Sequence, residues 1–433
     1  MPANLLYVWL RGELCAQLEQ LRTGKLRLRF DPNFVAAHGL GTPSLSLSVP
    51  NTLKRLEGPH LERFFDNLLP ENPLRATLER QYGVRPNDTF GLLRYIGLDC
   101  AGAVQFTESA QSNLEGFHRE LSAAELTHLV LTTPTIDTPD DLPLSASLGG
   151  VQPKLLLWRE GDRWFWPAAG APSNVIAKPN PSNTPISGLL ELEHWALDLA
   201  RSVGIPAAQT TLETFGDRQV LLVDRFDRLD QLDGPATTDK QDRTPANHPA
   251  TLRVHQEDFA QALSIPVAAK YEPASTSEHT RFQELVSKAL PFANTDFIPS
   301  LIRQITFNAV VGNGDAHSKN YSLTLTAEGE VELAPLYDVA PVFLANSNFR
   351  GFGHVVAQQS SLRHINGRHI RDEAASWGYS PTSASEIVGE VCEQLVSTLS
   401  GDISEPAHLV TESGAGYADA VRIRAEAFAT SLG

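Results

Sequence analysis

Hydrophobic positions along this chain follow two periods, and the switches between them divide it. In residues 1–60, LLYVWL and KLRLRF carry apolar residues at near-alternate positions and SLSLSV alternates strictly, which predicts short strands set between the turns of GLGTP and VPN. From 61 to 130 the spacing becomes three and four. Leu61, Phe64, Phe65 and Leu68 share one helix face, and LSAAELTHLV opens with a serine and a glutamate three residues on, a capping box. The proline- and acid-rich TTPTIDTPDDLP then marks a domain boundary.

Period two returns at 145. LLLWRE, GDRWFW and SNVIAKP read as strands, the first two turning at Glu160, Gly161 and Asp162. SGLLELEHWALDLARSVGIP is an amphipathic helix with Leu189, Leu192, Ala196, Leu199 and Val203 in one stripe, stopped by Gly204 and Pro206. RQVLLVDRFDR is a further strand, and the polar, aperiodic QLDGPATTDKQDRTPANHPA reads as a surface loop. The remainder is mostly helical, broken by VGNGDAHSKNYSLTL and LAPLYDVAPV. These parts predict an α+β chain: a β-rich then helical N-terminal subdomain at 1–135, a small lobe at 140–230, and a mostly helical C-lobe at 231–433. That is the order of a two-lobed protein-kinase-like fold, although many α+β proteins share it.

Composition narrows the classes. The chain has 433 residues, 42% apolar and 20% charged, and a net charge of −16. Such acidity argues against gripping a nucleic-acid backbone directly and is compatible with a basic partner. Cys15, Cys100 and Cys392 lie far apart without CxxC spacing, which speaks against a zinc site or disulfide framework. MPANLLYVWLRGELC lacks a basic n-region and meets Arg11 too early for a signal peptide, and no apolar run approaches membrane-spanning length. A cytoplasmic protein without a membrane is expected.

The candidate chemistry centres on GNGDAHSKNYSLTL. Asp315 supplies a carboxylate to orient an attacking hydroxyl, Asn320 an amide oxygen for magnesium, and His317 and Lys319 polar or cationic groups for phosphates. An Asn-Gly-Asp turn closed by its own side chains reads the same way. Downstream, Asp338 in PLYDVAPV follows an apolar pair and suits a second magnesium ligand, since magnesium needs only a few protein oxygens beside ATP phosphates. Lys178 ends the strand VIAKP, where it serves either as a surface lysine or as an ATP lysine paired with Glu193 or Glu191. Asp224, Phe226 and Asp227 end another strand, as a nucleotide hinge or as an ion-pair cluster with Arg225 and Arg228. SASLGGVQPKLLLW fits neither GxxxxGK[ST] nor GxGxxG and by itself is a glycine turn before a strand.

SLGGVQPKLLL, VIAKP, LEHWALDLARSVGIP, VDRFDR, RVHQEDFAQAL, KYE, GNGDAHSKN and PLYDVAPV, in this order from about 145 to 340, together resemble the HipA family of serine/threonine protein kinase toxins, and FFDNLLPENPLR resembles that family's N-terminal domain. The resemblance implies ATP and Mg2+ as cofactors, Asp315 as the catalytic aspartate, Asn320 and Asp338 as metal ligands, and Lys178 as the ATP lysine. It makes Gly149, Gly150, Val151, Gln152 and Lys154 the phosphate loop, and places Asp224, Phe226, Asp227, His317 and Lys319 around the nucleotide. Ser147 falls on the inhibitory autophosphorylation serine, with Ser145 as a second hydroxyl. His255, Glu257 and Asp258 of HQEDF are expected to brace the catalytic loop. The implied activity is phosphorylation of a serine on a translation factor, an aminoacyl-tRNA synthetase being the expected class, in a toxin–antitoxin pair. The implied partner is a HipB-like helix-turn-helix antitoxin, which carries the kinase to DNA as co-repressor. Two rivals share the scaffold: a small-molecule kinase and a non-catalytic co-repressor subunit.

Overall fold

The computed structural model describes residues 4–111, 114, 116–133, 144, 147, 149–150, 152–181, 184–229, 252–274, 279–401 and 405–433. The chain forms two compact units, residues 1–178 with 224–257 and 324–329, and residues 179–223 with 258–323 and 330–433. The expected N-terminal subdomain and the strands around the glycine loop thus share one unit, while residues 179–223 belong with the helical body. The proline-rich boundary at 134–143 and the polar loop at 231–250 lie outside the described residues.

In the first unit, alternation becomes a sheet. Leu6, Val8 and Leu10 of the strand Leu5–Leu10 are buried, and this strand pairs antiparallel with Glu13–Gln20 and Val104–Thr107. Leu26–Phe30 and Leu56–Glu57 extend the sheet beyond Glu13–Gln20. The helix Pro59–Asn67 buries Leu61, Phe64 and Phe65, and Phe65 meets Phe106 of the sheet edge-on at 5.6 Å. Ser122 and Glu125 form the expected capping box on the helix Ala123–Thr132. Leu155–Glu160 and Arg163–Ala168 form a hairpin closing at Glu160 and Arg163, and Val175–Pro179 pairs on the other side of Leu155–Glu160. SLSLSV is not a strand. Only a bridge between Ser46 and Val49 forms, because the buried Glu257 carboxylate accepts Ser46 Oγ and the Leu47 N–H, and Ser46 Oγ also accepts the Ser48 N–H. Hydroxyls that bond locally compete with a ladder.

The interior of this unit holds an ionic cluster. Asp99 is fully buried and accepts from Arg228 at 2.7 Å, from Arg253, from Arg225 at 3.4 Å, and from the Ser173 hydroxyl at 2.7 Å. Asp227 accepts from Arg225 at 2.8 Å, from the Gly102 N–H at 2.7 Å and from Gln256 at 3.0 Å. Further guanidinium nitrogens reach the carbonyls of Cys100, Gly102 and Gly170, while Arg228 Nε is buried without an acceptor. Burial alone pushes the Asp99 carboxyl up, but Arg228, Arg253 and Arg225 more than reverse it and hold it well below the carboxylate range.

The second unit is built around the buried helix Phe297–Val311, flanked by Gly367–Ser376, Pro381–Leu399 and Tyr417–Thr430. Arg424 of the last helix donates to the carbonyls of Val310 at 2.9 Å and Ala309 at 2.7 Å, satisfying the C-terminus of the central helix. The amphipathic helix forms over Leu189–Ser202, and Gly204 follows at φ +73°. Thr210–Phe215 and Arg218–Asp224 form an antiparallel hairpin beyond it. Among the described residues no helix is long and apolar enough to cross a membrane.

Asp99→Asn leaves Arg225 and Arg228 to share the Asp227 carboxylate and Arg253 without its ion pair, and is expected to lower stability by about 3–5 kcal/mol, read as a reduced urea midpoint; an unchanged midpoint would show the cluster to be dispensable. Burial pushes His255 down from 6.5 to about 3, so it is neutral in the folded chain at neutral pH. The unfolded chain takes up this proton below pH 6.5 and the folded chain only near pH 3, so stability is greatest above 6.5 and falls between those values. His255→Gln should therefore reduce the slope of stability against pH between 6 and 4 by up to about 1.4 kcal/mol per pH unit. An equal slope in both proteins would contradict this.

Candidate active site

The helix Phe297–Val311 ends at Gly312, whose φ of +80° lets the chain turn sharply out of the helix while its N–H still bonds Asn308 O. The next residue, Asn313, is buried and organises the loop beyond it. Its Nδ2 donates to Asn308 Oδ1 at 2.8 Å and to the carbonyl of Asp338 at 3.5 Å, while its Oδ1 accepts the Asp315 N–H at 3.1 Å. One amide thus ties the helix end, Asp315 and Asp338 together. Tyr337 adds a second tie, its hydroxyl donating to the Lys319 carbonyl at 2.8 Å. Asp338 itself sits at φ +52°, a left-handed conformation that aspartate tolerates better than bulkier residues.

Asp315 is the open group of this loop, with its side chain 51% exposed. Asn320 Nδ2 donates to the Asp315 carbonyl at 2.8 Å, which fixes the amide and turns its oxygen away from that bond. His317 is buried. Burial, with Lys270 and Lys319 nearby, pushes it down to about 2, so it is a neutral imidazole and not a cation beside phosphates. Its Nδ1 accepts the Lys319 N–H at 3.3 Å, leaving the proton on Nε2, 3.8 Å from Asp315 Oδ1. Lys319 is buried against Asp258, Nζ to Oδ2 at 2.7 Å.

HQEDF divides its labour. Asp258 caps the helix Phe259–Ala262 and pairs with Lys319, and the next two N–H groups donate to the carbonyls of Tyr321 at 3.0 Å and Ser318 at 3.1 Å. This part holds the loop at 312–320. His255 Nε2 donates to Leu45 O at 2.8 Å and Nδ1 accepts the Ala103 N–H, while Glu257 holds Ser46 and Leu47. Alternation along the strand turns Asp258 to the other face, where it meets Lys319.

In the first unit, Ser147 and Gly150 are docked on residues 68–71. Ser147 is buried, its hydroxyl donating to Leu68 O and its N–H to Asp99 O, at 2.8 and 2.9 Å. Gly150 accepts the Glu71 N–H at 3.0 Å, and at its φ of +120° a Cβ would meet Lys154 Nζ at 2.9 Å. Lys154 Nζ donates to the Gly149 carbonyl at 3.0 Å, and Gln152 is half-buried. Ser145 and Val151 lie outside the described residues. Lys178 is buried at the end of its strand, and Glu193 of the second unit is likewise buried. Asp224 is exposed and Phe226 half-buried, whereas Asp227 stands inside the Asp99 cluster. For Asp227 the ion-pair alternative, not the hinge, describes its surroundings.

Two residues of this neighbourhood escaped sequence reasoning. Asn313 was visible only as part of a turn, and Tyr271, whose hydroxyl donates to Asp315 Oδ1, only as a letter of KYE. Among the described residues no three His, Cys, Asp or Glu side chains gather as a metal cage. Asn320 carries an amide oxygen and Asp338 a carboxylate, hard donors of the type that magnesium takes beside phosphates and water.

Known proteins resemble this chain along most of its length. Residues 6–107 match the HipA N-terminal domain and residues 146–399 the HipA-like C-terminal domain. Y4mE and Y4dM of Sinorhizobium fredii, both of which carry the word kinase in their names, are 29% and 30% identical, each match covering 78% of this chain and 77% and 78% of theirs. The serine/threonine-protein kinase toxin HipA of Shewanella oneidensis is 31% identical over 65% of this chain and 63% of its own. A Shewanella oneidensis HipA solved with HipB and its operator DNA superposes with a TM-score of 0.75 at 23% identity, covering 99% of both chains, so the fold is the two-lobed α+β kinase-like one. With the C-terminal match spanning more than half of its residues, the chain belongs to the HipA family.

Proposed function

We propose that this chain is an ATP- and Mg2+-dependent serine/threonine protein kinase and the toxin of a toxin–antitoxin pair. One observation carries the reading: an open carboxylate, Asp315, stands in a loop whose buried Asn313 also holds the Asp338 carbonyl, with Asn320 anchored on the Asp315 backbone. A turn closed merely for its own stability has no need of a link to a second, distant aspartate.

Asp315 orients the substrate serine and takes up its proton as the oxygen attacks the γ-phosphorus. Asn320 and Asp338 would hold magnesium, which would offset charge on the phosphates. The loop at 149–154 and Lys178 contribute donors to the nucleotide phosphates. Lys319 acts mainly through its ion pair with Asp258, which stiffens the loop that carries Asp315. The expected acceptor is a serine of a translation factor, an aminoacyl-tRNA synthetase being the favoured class. A small HipB-like helix-turn-helix antitoxin is the partner, supported by the HipA–HipB–DNA assembly of the Shewanella protein and by the net charge of −16, which suits a basic DNA binder. DNA is reached through that partner alone.

Ser147 is the proposed site of self-inhibition. Its hydroxyl is held by Leu68 O in the docked loop, so phosphorylation requires the loop to leave residues 68–71. A phosphate carrying about −1.5 to −2 charge then faces carbonyl oxygens and cannot return.

Incubation with γ-labelled ATP·Mg2+ and host lysate, followed by phosphosite mass spectrometry, should show label on a serine of a translation factor. Asp315→Asn should lower the transfer by about 10²- to 10⁴-fold, and chelation of Mg2+ should abolish it. Turnover that depends on a small metabolite and leaves no phosphoprotein would overturn the protein-kinase reading. On preincubation with ATP·Mg2+, the parent should lose activity with time and Ser147→Ala should not; equal decline in both would remove Ser147 from the mechanism.

A further inference from the structure

We propose that Tyr271 is a positioning residue for phosphoryl transfer, its hydroxyl holding the Asp315 carboxylate in the orientation that receives the substrate hydroxyl. This rests on the reading of Asp315 as the proton-accepting carboxylate.

The hydroxyl of Tyr271 donates to Asp315 Oδ1. Its ring meets His317 edge-on, with centroids 4.9 Å apart and planes at 85°. A half-exposed aspartate samples several rotamers unless directed contacts select one. Tyr271 supplies such a contact, and the His317 edge limits the tilt of the tyrosine in turn.

The flanks of Tyr271 are built to place it. On one side the Lys270 carbonyl accepts the Ser318 N–H at 3.1 Å and Arg281 Nη1 at 2.8 Å. On the other, the Glu272 N–H donates to Gly353 O at 2.8 Å. The buried Glu272 carboxylate accepts the N–H groups of Val355 at 3.0 Å and Arg281 at 3.1 Å, and pairs with His354 Nδ1 at 3.3 Å. Burial tends to push this carboxyl up, and the bonds from His354, Val355 and Arg281 reverse the effect and keep it ionised. This bonding, buried at Glu272, surrounds a tyrosine that is itself 47% exposed. An exposed ring adds little to core stability, so a backbone fixed so firmly around it is explained by where it delivers the hydroxyl.

In the transfer, the substrate oxygen forms a bond to the γ-phosphorus as the bond from that phosphorus to the β,γ-bridging oxygen breaks. ADP leaves with the electron pair and the serine proton passes to Asp315. Tyr271 keeps its own proton throughout. With the carboxylate held by the tyrosine, its rotamer is fixed before the reactive step, which removes a search from it.

The test measures initial rates of label transfer from γ-labelled ATP·Mg2+ to host-lysate protein, at varied ATP, for the parent, Tyr271→Phe and Tyr271→Ala, with thermal unfolding as a check on the fold. Both variants should lower kcat by about 10- to 100-fold and leave KM for ATP near that of the parent. A Tyr271→Phe protein with parental kcat would assign the tyrosine a packing role only and overturn the proposal. A raised kcat would overturn it too, by showing that the hydroxyl blocks the substrate's place. Asp315→Asn separates the two readings: if that variant retains transfer, the assignment of Asp315 fails and this proposal with it. If it loses transfer while Tyr271→Phe does not, only the tyrosine's role fails.

Discussion

Asp99 is a carboxylate without access to water, and its neutralisation by three arginines is the condition on which the first unit stands. Such a charge is tolerable only when ion pairs and hydrogen bonds replace its lost hydration. The arginines come from residues 225, 228 and 253, far along the chain, so satisfying Asp99 forces these segments against residues 99–103. The same residue uses its backbone carbonyl to hold the N–H of Ser147. Ser147 is therefore docked beside this ionic cluster, between the carbonyls of Asp99 and Leu68.

The second unit solves a different problem with the same means. A loop carrying an open aspartate must be rigid although it follows a helix terminus, where unsatisfied carbonyls invite fraying. Arg424 satisfies the helix end from outside, and Asn313 bridges the loop to the segment of Asp338 from within. Asp258 adds an ion pair to Lys319, and the backbone after it adds two further bonds. Buried polar groups of this kind gain from a low local dielectric once every donor finds an acceptor. Asp315 stands half-exposed in this braced loop, its carboxylate accepting from Tyr271.

Much of this was legible in one dimension. Alternation located the strands Leu5–Leu10 and Leu26–Phe30, and three-four spacing located the helices Pro59–Asn67 and Leu189–Ser202, because burial on one face acts on each position independently. Residue type and order singled out Asp315, Asn320 and Asp338, and the bonds of Asn313 and Asn320 to their backbones came only with the fold. SLSLSV misled because its pattern is that of a strand while its hydroxyls and N–H groups answer to Glu257, a residue distant in sequence. Asp227 was ambiguous for a related reason: Asp-Arg-x-Asp-Arg spells a charged strand end, and nothing local reveals the Asp99 that turns it into a core.

The sequence by itself determined the elements, the family and the identity of the chemical groups, since periodicity, caps and motif order are written in neighbouring residues. The tertiary structure alone decided what each group is bonded to. It made His317 neutral, since burial and two nearby lysines are properties of a fold and not of a residue type. It divided HQEDF between two tasks, buried Ser147, and brought Tyr271 to Asp315 across forty-four positions of chain. Hydrogen bonds and ion pairs are short-ranged in space and indifferent to separation in sequence, so their partners emerge only when the chain has folded.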